Sequence, residues 1–65
     1  MFTSITPGMT FTSNSGYGPY VSRVLRRHRD AGYWETVIVS GGHPALLNSI
    51  QIVNGTDIRC RLAAA

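Results

Sequence analysis

Turn residues interrupt this chain so often that only short pieces lie between them. Pro7-Gly8, Gly16 to Pro19, Gly32, Gly41-Gly42, Pro44 and Gly55 are the interruptions. Pieces of this size, bounded by turn signals, suit strands better than helices. Met9 to Ser13 alternates, with Met9 and Phe11 on one side and Thr10 and Thr12 on the other. Tyr33 to Ser40 is rich in aromatic and β-branched residues, with apolar groups on both faces. That pattern predicts a central strand covered on both sides, or one with a face given to a subunit contact.

Residues 20–30 read two ways. Val21, Val24, Leu25 and His28 fall at helical spacing after Pro19, with Gly32 beyond the end. The same residues make a short strand running into the polar tip Arg26 to Gly32, which would hand directly to Tyr33. The strand is preferred because it makes a meander with the strongest strand of the chain. A helix over 19–30, in an α+β fold, is the alternative.

The end of the chain reads as a hairpin. Asn54-Gly55 lies between two apolar runs, Ser49 to Val53 and Thr56 to Leu62. A two-residue loop would mix Ile50 and Ile52 with Asp57 and Arg59 on one face. A three-residue loop with Gly55 as a bulge instead gathers Ile50, Ile52, Ile58, Cys60 and Leu62. Gln51, Val53, Asp57, Arg59 and Arg61 then share the other face. Burial at ~1.5–3 kcal/mol per aliphatic side chain favours the bulged register. The second face is therefore expected to be an interface or ligand face, with Gln51 pointing away from the core.

Size sets the next constraint. Sixty-five residues make one domain, expected over 1–62, with Ala63 to Ala65 read as a vector-derived tail. A core this small rarely supplies more than ~3–5 kcal/mol. Cys60 is the only cysteine, so no intrachain disulfide can help. Cys60, His28 and His43 lack the count and spacing of a zinc site, and no metal is expected. A homo-oligomer is the remaining remedy.

The chemistry on offer is limited. All six basic residues are arginine, against Asp30, Glu35 and Asp57, giving a net charge of +3. Arg23, Arg26, Arg27 and Arg29 suit phosphate contacts, and Tyr17, Tyr20, Tyr33 and Trp34 lie close in sequence as stacking faces. Nucleic acid is thus one candidate partner and another protein a second. A solvated hairpin tip explains the same arginines. The glycine segments are not followed by the lysine of a phosphate-cradling loop. His43 has no acid nearby in sequence, and Cys60 reads as a buried small residue. No catalytic residue is assigned. The start, Met1 to Ile5, carries no signal-peptide pattern and no segment has membrane-spanning length, so no membrane contact and a cytoplasmic location are expected.

Five short strands, a glycine-rich loop, an aromatic third strand and a closing hairpin resemble a small SH3-like β-barrel. More narrowly, "GYWETVIVSGGHPALLNSIQIV" is similar to part of the plasmid- and gene-cassette-borne type II dihydrofolate reductases. The shared positions are Gly32, Tyr33, His43, Pro44, Ser49, Gln51 and Ile52. Val53 stands where that family has a tyrosine, and the family's substrate-binding lysine has no counterpart. The resemblance implies a four-copy pore lined by Gln51 and Ile52, binding folate and NADPH, encoded on a mobile element. The reading adopted is a mainly β fold, an SH3-like barrel as the resemblance implies, acting as a non-catalytic oligomeric binding module that needs no cofactor. The reductase-like pore and a nucleic-acid-binding barrel are its alternatives.

Overall fold

The computed structural model describes residues 4–64, with side chains described through Leu62. Four strands and one helix follow in order: β1 Thr10–Ser15, β2 Gly18–Arg27, β3 Tyr33–Gly41, β4 Ile50–Asn54 and α1 Gly55–Ala64. A single 3-10 turn, Pro44–Leu46, precedes β4. The strands form one antiparallel sheet in the order β1-β2-β3-β4, so each pairs with its neighbour in sequence. The sheet is open, not a barrel, and there is no fifth strand among the described residues.

Residues 20–27 belong to β2, a central strand paired on both sides. The helical spacing of Val21, Val24 and Leu25 gives way because the sheet buries Ser22 and Val24 together, each 1 % exposed. Two irregularities interrupt the β2–β3 pairing, between Val21 and Ser22 and between Val24 and Arg26. Val39 is the extra residue at the first and Leu25 at the second, as in β-bulges.

Cross-strand partners share a face, which sorts every strand residue. Phe11, Ser13, Tyr20, Ser22, Val24, Arg27, Trp34, Thr36, Ile38, Gln51 and Val53 lie on one face. The buried strand residues all belong to it. Helix α1 covers this face, placing Ile58 against Ile5, Phe11, Val24 and Trp34. Met9, Val53 and Leu62 pack around that cluster. Thr36, fully buried, donates its hydroxyl to the Gln51 carbonyl at 3.1 Å.

The expected closing hairpin is replaced by α1. Asn54 caps the helix, its Oδ1 accepting from the Thr56 N–H at 2.8 Å. Asp57 in the first turn and Arg61 in the last complement the helix dipole. Ile58 and Leu62 are four residues apart and so share a helix face as readily as a strand face. Cys60 separates the two readings, and it is exposed rather than buried. Ala63 and Ala64 continue the helix, as alanine's propensity favours. Ala65, the end of the expected tail, and Met1 to Thr3, part of the segment read for a signal pattern, lie outside the described residues.

Candidate functional site

The fold leaves one face of the sheet without cover, opposite α1. Val21 on β2, Val37 on β3 and Ile50 and Ile52 on β4 point to it. Val37 pairs with Ile50, whereas Ile52 lies opposite Glu35 and Val37 also neighbours Arg23, so apolar and charged groups alternate across this face. Ile50 is 58 % exposed and Ile52 47 %. The bulged-hairpin register would put both in the core with Ile58. They are outside because α1 takes its cover from the Gln51–Val53 side of β4, and strand alternation leaves Ile50 and Ile52 opposite.

The expected face of Gln51, Val53, Asp57, Arg59 and Arg61 therefore does not exist as one strand surface. Gln51 and Val53 turn toward the covered side of the sheet, while Asp57, Arg59 and Arg61 are exposed on the helix. Gln51 lines an apolar pocket of about 190 Å³ with Tyr17, Tyr20, Ile38 and Leu46. Gln51 and Ile52, adjacent in the chain, point to opposite faces and do not line a single surface together.

The arginines of the tip also separate. Arg23 pairs with Thr10 and Val37, and Arg26 with Glu35, both on the open face. The Leu25 bulge shifts the alternation, so Arg27 falls on the other face opposite Trp34. Its guanidinium lies 5.3 Å from the Trp34 ring centroid, a cation–π contact. Arg29 is exposed in the β2–β3 turn.

A charged cluster borders the open face at its turn end. Arg26 Nε lies 2.6 Å from Glu35 Oε1, and His28 Nδ1 lies 3.2 Å from Glu35 Oε2. His28 Nε2 reaches Asp30 at 3.5 Å. The His28 hydrogen bond chiefly holds the Glu35 carboxyl below its ordinary value; burial pushes it up, and Arg26 adds to the lowering. This three-way pairing, which sequence reasoning did not find, ties the end of β2 to β3. Its sequence signal is the spacing of Arg26, His28 and Glu35 about a turn at Asp30 to Gly32.

His43 has a structural task. Its Nδ1 accepts from the Ala45 N–H at 3.0 Å and caps the 3-10 turn, while Tyr17 packs edge-on against the ring at 4.6 Å. Among the described residues no group of three or more His, Cys, Asp or Glu side chains could hold a metal, and no helix is long and apolar enough to cross a membrane. No family model matches the chain, and no curated protein or solved structure matches it either. What stands is a small antiparallel four-stranded sheet with one short helix on one of its faces.

Proposed function

We propose that the protein is a self-associating, non-catalytic binding module whose subunits meet through the open face of the sheet. The observation that carries this reading is the row of exposed Ile50 and Ile52 with half-buried Val21 and Val37, on a face with no cover of its own. Four strands ~4.8 Å apart and about five residues deep at ~3.3 Å each present a footprint on the order of 300 Å². The apolar row shares that footprint with Thr10, Thr12, Arg23, Arg26 and Glu35, and apolar groups left uncovered on a sheet face mark interaction sites.

A second copy is the occupant that the rest of the molecule favours. Among the described residues only Ile5, Phe11, Val24, Trp34, Ile38 and Ile58 form the buried apolar core. Six such side chains are few for a stable domain, and pairing the open faces would bury the missing apolar surface. Arg26 and Glu35 already neutralise each other on this face, so among the described residues Arg23, beside Val37, is the open-face charge that a contact must leave solvated.

The test is the solution mass of the native chain by analytical ultracentrifugation across a concentration series. A multiple of 7.1 kDa is expected, falling to 7.1 kDa in Ile50→Glu and Ile52→Lys. A folded wild-type monomer at every concentration would remove the reading. So would an oligomer that both substitutions leave intact.

A further inference from the structure

A cleft of about 200 Å³ opens where β2 ends, the β2–β3 turn closes and α1 begins. Arg27 and Trp34 reach it from the covered side of the sheet, while Tyr33, paired with Asn54, alternates toward the open face and lines the cleft at the sheet's end. Arg27, Tyr33, Trp34 and Arg59 line it, with the backbone of Gly32 and Gly55. The Gly55 N–H donates to the Gly32 carbonyl at 2.8 Å and holds the helix start against the turn. A Cβ at Gly55 would stand 3.2 Å from Trp34 Nε1 and 3.3 Å from that carbonyl, so a side chain there would press Trp34 or the turn back by a few tenths of an ångström.

Two arginines thus share one small cleft from different elements, one on a strand and one on the helix. Among the described residues no acid lies within ion-pair distance of either; the ion pairs there engage Arg26 and His28 instead. Like charges converging without an acid are relieved by an anion, and guanidinium forks match the oxygens of phosphate. The cleft is smaller than the ~300–1,000 Å³ of ordinary ligand pockets, so it suits a single phosphate group and not a whole nucleotide. Tyr33, on the rim and 42 % exposed, offers an aromatic face to a ring held just outside.

We propose that this cleft binds the phosphate of a nucleotide, free or within a single strand, with Arg27 and Arg59 on the phosphate oxygens and Tyr33 against the base. Arg59 comes to this site from the helix, and of the four tip arginines only Arg27 joins it. Sequence proximity alone would have grouped Arg27 with Arg26, which serves the opposite face.

Trp34 is the only tryptophan of the chain, so its fluorescence reports on the cleft directly. The whole protein is titrated at low salt with adenosine, inorganic phosphate, adenosine monophosphate and a short oligothymidylate. A saturable change with the monophosphate or the oligonucleotide, and none with adenosine, is expected. A response to the monophosphate alone assigns free nucleotide as the source, whereas tighter binding of the oligonucleotide assigns the single strand. Arg59→Gln should weaken binding about tenfold, the loss typical of one charge-assisted hydrogen bond. For the strand it should also flatten the logarithmic salt dependence by about 0.7. Arg61→Gln, on the same helix but outside the cleft, should leave both unchanged. Thermal unfolding of Arg59→Gln and Arg27→Gln separates lost binding from lost folding. Silence toward every phosphate compound would overturn the proposal, as would an equal loss in Arg61→Gln. Inorganic phosphate binding as tightly as the monophosphate would overturn the nucleotide assignment.

Discussion

Glu35 is the residue on which the pH response of this fold turns. Its carboxyl is held below the ordinary value near 4.5, chiefly by the hydrogen bond from His28 and further by Arg26. A carboxylate whose folded value is depressed contributes stability that is complete above its ordinary value. That contribution disappears as pH falls through the lowered value. Glu35→Gln should therefore lower the melting temperature near neutral pH and flatten its decline below about pH 4.5 relative to the wild type. Melting curves recorded from about pH 7 to about pH 2.5 check this, and parallel acid branches for the two proteins would contradict it. Only part of this is legible in the residues alone. Arg26, His28 and Glu35 can be expected near one another across the turn, but the Leu25 bulge decides that Arg26 rather than Arg27 meets the carboxylate.

At the level of elements, α1 is where sequence patterning and structure part. The four strands follow the β-branched and aromatic runs closely, and β2 takes the strand reading over the helical one. The last ten residues resist assignment by pattern, because Ile58 and Leu62 satisfy periods of two and of nearly four alike. Asn54-Gly55, the strongest hairpin signal, instead supplies a helix cap and a close approach to Trp34. The misplaced faces of Ile50 and Ile52 follow from that one error, since the hairpin alone assigns them to the core. Cys60 distinguishes the two folds directly. It should react fully with a thiol reagent in the native protein, without denaturant, whereas a strand facing the core would protect it. Ile58, at 0 % exposure, is the side chain by which the helix holds the sheet. Ile58→Ala should cost about 2–5 kcal/mol, close to the whole stability of a domain this small. Chemical denaturation should find that variant largely unfolded, and a near-wild-type midpoint would contradict the helix packing.

For the molecule as a whole, the open face and the thin core are two sides of one shortage. A sheet covered on a single side by one helix buries few apolar groups, and the surplus appears as Val21, Val37, Ile50 and Ile52. If two copies supply each other's cover, folding and association are linked by mass action, and the melting temperature should rise with protein concentration. Ile52→Lys should abolish that rise as well as the oligomer, giving the proposed module a thermodynamic readout separate from its mass. The meander has a further consequence for how the chain is made. Every strand finds its partner in the strand next to it in sequence, so the sheet can assemble from local contacts as residues emerge. Its cover comes last, because Ile58 belongs to the final element. A sheet that forms before α1 docks is bare on both sides, and that hazardous interval ends only when Ile58 closes over Phe11 and Val24.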